Sequence, residues 1–168
     1  YPETSVYDHN TKEEAETLLS SLATEHGWTY TVDNTGIELD NLSDYDLIWF
    51  SNTSGDNFTS TERGFIETFA SNGGNFVSEH ASSDSYGHST STDVSGNGFG
   101  MWDWWAENVT GCSVQNSPNH TSNNYSTTID VTHANTILDA SLTFSRTEDD
   151  EWYYWEKGYI DTNFTESQ

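Results

Sequence analysis

The chain has 168 residues and carries 28 acidic side chains against 4 Lys and Arg, a formal net charge of −24. Such a field repels phosphate backbones and anionic bilayers, which excludes ordinary nucleic-acid binding and docking on acidic membranes; no apolar run approaches the roughly 18 residues of a membrane span. Leu, Ile, Val and Phe are sparse, but 7 Trp, 9 Tyr and 8 Phe are too many for a disordered chain and imply one folded domain over residues 1–168 with an aromatic core.

In chain order, Thr11-Lys-Glu-Glu14 reads as a capping box opening a helix that carries Ala15, Leu18, Leu19, Leu22 and Ala23 and stops at Gly27. Trp28–Val32 alternates as a strand, and Asp46-Leu-Ile-Trp-Phe50 is a continuous apolar run, the pattern of a strand buried on both faces. A polar loop, Ser51–Asp56, follows it. Thr59-x-x-Glu62 opens a second helix bearing Phe65, Ile66, Phe69 and Ala70, ended by Gly73-Gly74. Asn75–Glu79 is the next strand and runs directly into His80-Ala-Ser-Ser-Asp84. Residues 85–100 form a Ser/Gly/Asn-rich loop, Met101–Trp105 is an aromatic cluster, Tyr125–Val131 and Leu142–Arg146 are further strands, and Glu148–Trp155 is an acidic-aromatic stretch. Helices alternating with strands predict an α/β open sheet, with ligands beyond the carboxyl ends of the strands, where Ser51–Asp56 and His80–Asp84 lie.

The scattered carboxylates read as a hydrated surface suited to a saline habitat. Cys112, the single cysteine, reads as a packed residue rather than a nucleophile. Sequons at Asn41, Asn52, Asn57, Asn108, Asn119, Asn124 and Asn163, in a chain of 22 Ser and 23 Thr, point to an extracellular glycoprotein whose signal peptide has been removed.

Three segments carry a family resemblance: Tyr45-Asp-Leu-Ile-Trp-Phe-Ser-Asn-Thr-Ser-Gly-Asp56, Gly73-Gly-Asn-Phe-Val-Ser-Glu-His-Ala-Ser-Ser-Asp84 and Asp150-Glu-Trp-Tyr153. Together they resemble the ThuA-like (trehalose utilisation) family of the class I glutamine amidotransferase-like superfamily. The resemblance implies a flavodoxin-like three-layer sandwich with a mainly parallel sheet. Thr4–Asn10 is similar to the family loop that would bring His9 to a strand end, and His120 and His133 align with two further family histidines. The family's first strand and its C-terminal elements have no counterpart in this chain, so a fragment of a longer polypeptide is expected, or a neighbouring chain that supplies the strand.

The resemblance places His80 where amidotransferases carry a nucleophilic Cys, which excludes thiolate hydrolysis of glutamine. An imidazole there can act as base or metal ligand. Glu151, just ahead of Trp152 and Trp155, is expected to lose water, which suits it to proton transfer. The implied function is binding or processing of a disaccharide or keto-sugar, with His80 and Glu151 as acid–base pair and His9, Asn52, Thr53, Asp56, Asp84, His120 and Trp152 contacting the substrate. His9, His80 and His120 are candidate ligands for a divalent metal, with Glu151 or Asp56. Trp102, Trp104 and Trp105 read equally as a sugar-stacking platform or as core. The alternative is a non-catalytic extracellular structural or adhesive subunit that assembles with copies of itself into a filament.

Self-repulsion of this size is screened as the Debye length falls from about 10 Å at 0.1 M salt to about 3 Å at 1 M. The melting temperature is therefore expected to rise by several degrees over that range of NaCl, as read by circular dichroism; a flat or falling curve would refute the saline reading.

Overall fold

The two longer helices are set by their ends. The computed structural model describes residues 11–35, 37–53, 55–56, 58–85, 102–114, 118–122, 124–130 and 145–158. Helix α1 spans Lys12–His26 and begins where the sequence places it, but its capping box does not form: the Thr11 backbone, at φ −106° and ψ 5°, is off the extended conformation of a cap, and its hydroxyl accepts a hydrogen bond from the Asn52 side chain. Its end follows expectation: Gly27 turns left-handed at φ 70° and the Trp28 N–H reaches the Ala23 carbonyl at 2.9 Å. Of the expected apolar stripe only Ala23 is buried, and Leu18 is exposed.

Helix α2, Ser60–Ser71, has its capping box complete: the Thr59 N–H donates to Glu62 at 2.6 Å and the Glu62 N–H returns to the Thr59 hydroxyl at 3.3 Å. Ile66 and Phe69 on its inner face are buried. Between the helices lie a 3-10 stretch, Ile37–Asp44, and strand β1, Leu47–Ser51. Strand β2, Asn75–Glu79, pairs with β1 in parallel, Ile48 opposite Phe76 and Ser51 opposite Glu79.

Paired residues of a parallel ladder share a face. Ile48, Phe50 and Phe76 accordingly look toward α2 and form the core with Leu39, Leu42, Phe58, Ile66, Phe69, Trp102 and Trp105. Phe50 meets the Trp105 ring edge-on at 4.9 Å and Phe69 meets Phe76 edge-on at 5.4 Å, arrangements favoured by the ring quadrupoles. On the other face, Leu47 and Val77 are exposed. The apolar run at 46–50 is thus fully buried only at Phe50, while on the other face Trp49 is half-buried and Leu47 exposed, a correction to the two-sided burial expected of it.

Trp105 lies in a short helical segment, α3 (Asp103–Trp105), that continues as a π turn through Thr110. Beyond it, β3 (Cys112–Val114) pairs antiparallel with β6 (Trp155–Gly158), and β4 (Tyr125–Asp130) pairs antiparallel with β5 (Ser145–Asp150). The result is a mixed α/β architecture with a small parallel sheet.

Two strand predictions need correcting. Residues 28–33 carry no strand, and Trp28, Tyr30 and Val32 are exposed: the alternation is present, but no neighbouring strand among the described residues takes up its hydrogen bonds. The strand expected at 142–146, described from Ser145 onward, continues to Asp150, because the acidic run Glu148-Asp-Asp150 pairs with Tyr125–Thr127. The loop expected at 85–100 lies, beyond Ser85, outside the described residues, as do Met101 and residues 142–144. No helix among the described residues is long and apolar enough to cross a membrane.

After α2, Gly73 turns left-handed at φ 86°, and Gly74 follows with its backbone against the Phe69 ring; a β-carbon at residue 74 would fall inside that ring. Gly74→Ala is therefore expected to destabilise the fold by about 1–3 kcal/mol, the usual range for overpacking, measured by urea unfolding. Unchanged stability would mean that the Phe69 ring has room to move.

Candidate functional site

The carboxyl ends of β1 and β2 lie side by side, and both chains leave them through left-handed residues, Asn52 at φ 51° and His80 at φ 45°. Outside glycine this conformation is uncommon, although Asn and His tolerate it better than most, and it costs of order 1–3 kcal/mol where the surroundings enforce it. The enforcement comes from a buried polar clamp. Ser82, fully buried, donates to the Phe50 carbonyl at 2.7 Å and accepts from the Thr53 N–H at 3.0 Å. Ser85 donates to the Thr53 carbonyl at 2.6 Å, and the Trp105 indole donates to the Ser82 carbonyl at 3.1 Å. The loop after β1 and the 3-10 turn His80–Asp84 are thereby one unit. On the face away from α2, the Ser51 hydroxyl donates to Glu79 at 2.6 Å.

His80 meets the segment that follows β5. Its Nε2 lies 3.8 Å from a carboxylate oxygen of Asp150 and 3.8 Å from one of Glu151. Asp150 is exposed and accepts from the Glu151 N–H at 2.8 Å, whereas the Glu151 side chain is only 16% exposed. Tyr153 ties the group together. Its hydroxyl donates to the Glu151 carboxylate at 3.3 Å, and its ring meets His80 edge-on at 5.8 Å and His120 edge-on at 5.5 Å. His120 pairs with Tyr153 across a β-bridge, and its Nδ1 lies 2.6 Å from the Thr121 carbonyl. A carbonyl can only accept, so Nδ1 is the donor in this contact and carries a proton.

The structure therefore brings together His80, Glu151 and, around Tyr153, His120. Asn52 and Thr53 sit beside His80 but are buried in the clamp, with the Asn52 amide bonded to Thr11, and Asp56 is half-buried in the same loop. Trp152 is committed to structure: its backbone N–H donates to the Thr121 hydroxyl at 3.0 Å and its indole to the Tyr125 carbonyl at 2.8 Å. His9, His133 and the Asp84 side chain lie outside the described residues. No three His, Cys, Asp or Glu side chains among the described residues are arranged to hold a metal ion. Of the tryptophan cluster, Trp102 and Trp105 are buried and stack at 5.6 Å, which decides for core over sugar platform. Burial pushes the Cys112 thiol up, disfavouring the thiolate. Among the sequons, Asn41, Asn108 and Asn124 are exposed, Asn119 is half-buried and Asn52 is buried, while Asn57 and Asn163 fall outside the described residues.

Asp150, Tyr153 and Ser82 are the residues of this arrangement that sequence reasoning did not single out. Tyr153 could have been found from its place two residues after Glu151, which on an extended chain puts both side chains on one side. Nothing in the sequence marks Ser82 among 22 serines.

A left-handed elbow carrying His80 at the end of a parallel strand, faced by the carboxylates of Asp150 and Glu151, is what the mixed α/β fold sets at this edge. The family profile described as ThuA, trehalose utilisation, matches residues 1–166, and the chain belongs to that family. Among solved structures it is similar to a protein from Bacteroides uniformis ATCC 8492 described as ThuA-like, with a TM-score of 0.69 and 18% identity over 94% of this chain. The chain spans 60% of that protein's length. Comparison with curated proteins finds no match.

Ser82→Ala removes the clamp without changing a group that faces solvent; it takes the hydroxyl from the Thr53 N–H in the interior and leaves the Phe50 carbonyl with its ladder bond alone. A loss of about 1–3 kcal/mol in unfolding free energy is expected, by urea denaturation. A loss below about 0.5 kcal/mol, the low end for a net hydrogen bond, would mean that water replaces the hydroxyl.

Proposed function

We propose that this domain binds and processes a carbohydrate, a disaccharide or keto-sugar, by proton transfer between substrate hydroxyl or carbonyl groups and the pair His80–Glu151. The observation that carries the reading is the 3.8 Å separation of His80 Nε2 from the Glu151 carboxylate. It is longer than a hydrogen bond, and the catalytic contacts of an empty site commonly tighten only around substrate. Tyr153 orients the carboxylate, while Asp150 adds a second acceptor on the same imidazole nitrogen. A hydroxyl placed between imidazole and carboxylate can lose its proton to one while a neighbouring oxygen gains one from the other. Family membership adds support, since the family is described by trehalose utilisation. The parallel pair with α2 against one face is consistent with part of a flavodoxin-like sandwich, and secretion into a saline medium would account for the surface charge.

A second reading, self-assembly into an extracellular structural polymer, is favoured by one observation: Leu47 and Val77 on one face of the parallel sheet are exposed, as are Trp28, Tyr30 and Val32. Exposed apolar surface of this kind is a usual mark of an interaction site.

The test is turnover of a 3-keto-disaccharide, followed by chromatography of the products. His80→Ala and Glu151→Gln are each expected to reduce kcat by about 10²–10⁴, with the double variant little worse than the poorer single one, because the two groups act as a unit. Turnover that survives both substitutions would sink the acid–base assignment. Fibres in electron micrographs of protein that turns over no sugar would favour the polymer.

A further inference from the structure

We propose that Trp155 is the outer sugar platform of this site, so that the domain selects saccharides of two or more rings over a single ring; the inference rests on the proton-transfer reading of His80 and Glu151. The segment from Glu151 into β6 is extended. The Thr121 N–H donates to the Trp152 carbonyl at 3.0 Å, the Tyr154 N–H donates to the Asn119 carbonyl at 2.8 Å, and Trp155 then pairs with Val114 in the β3–β6 ladder. An extended chain alternates its side chains, so Glu151, Tyr153 and Trp155 project to one side. The contacts agree: the Tyr153 hydroxyl reaches Glu151 at 3.3 Å, and its ring lies 6.0 Å from that of Trp155 at 39°.

Reacting carboxylate, phenol and indole thus form a row. At about 3.3 Å per residue the four steps from Glu151 to Trp155 cover about 13 Å, more than one pyranose ring spans and within reach of two linked rings. Trp102 and Trp105 are buried in the core, whereas Trp155 is 47% exposed, paired with Val114 at a bulge of the β3–β6 ladder. An indole face held beside an acid–base pair is a surface on which the C–H face of a pyranose stacks, its hydroxyls remaining in water at the rim. The charge selects further: Asp150 and Glu151 at the inner end, within a chain of net charge −24, disfavour phosphorylated sugars and leave neutral ones.

The experiment is isothermal titration of the whole chain with trehalose, maltose and sucrose, each compared with glucose. Trp155→Ala is expected to weaken the best disaccharide about tenfold with glucose affinity unchanged, and Trp155→Phe to restore most of the loss. Saccharide-induced change in tryptophan emission should shrink in Trp155→Phe, a signal that a purely structural role would not remove. Equal weakening for one and two rings, or no weakening, overturns the platform and leaves the His80–Glu151 reading standing. Failure of the unsubstituted chain to bind any of the three disaccharides also overturns the platform, while the His80–Glu151 reading stands or falls on turnover of the 3-keto-disaccharide.

Discussion

One hydroxyl holds the two halves of the site in register. Ser82 is bonded at once to the last core residue of β1 and to the loop beyond it, and it sits in the turn that β2 runs into. Because the group is buried, each of its bonds is made where water cannot compete, and leaving the Thr53 N–H without it would be costly. The left-handed turns at Asn52 and His80 persist because this clamp fixes the chain on both sides of them. The strain in His80 is therefore carried by the packing of Phe50, Trp105 and Ser82, and the core is part of the site's geometry rather than only its support.

The aromatic character of the core follows from composition. A chain with few branched aliphatics must fill its interior with rings, and rings pack by edges and offsets as well as by volume. Phe50, Phe76, Trp102 and Trp105 do so, and two indoles also spend their N–H groups on Glu67 and the Ser82 carbonyl. The core thereby delivers hydrogen bonds as well as apolar area, one of them directly to the clamp. The same chain places its cations sparingly: Arg63 lies over the Trp102 ring at 5.8 Å, and Arg146 sits 3.1 Å from Glu148.

Much of this was legible in the sequence, and for local reasons. α2 was readable because Thr59 and Glu62 cap it reciprocally, and β2 because its apolar residues end in a glycine pair on one side and a polar turn on the other. His80 and Glu151 were readable through their motifs. What escaped was set by tertiary partners. Thr11 makes no capping box because its backbone is drawn off the extended cap conformation while its hydroxyl meets Asn52, Trp28–Val32 finds no strand to pair with among the described residues, and the run at 46–50 is only partly covered on its second side. Trp155 and the cluster 102–105 exchange the roles that residue type alone allows, since exposure, not aromaticity, separates a binding surface from a core.

The burial of Asn52 has a consequence for biosynthesis. Its side-chain nitrogen, the atom a glycan would occupy, is bonded to Thr11, and the residue is 5% exposed. Oligosaccharide attachment at this sequon and closure of the loop after β1 are mutually exclusive outcomes. A chain modified there before it folds would carry a bulky hydrophilic branch where the structure has room only for an amide, and the tie to the start of α1 would be lost. In a glycosylating compartment, passage to the native state would then depend on this one sequon being skipped, making Asn52 a point at which maturation and modification compete.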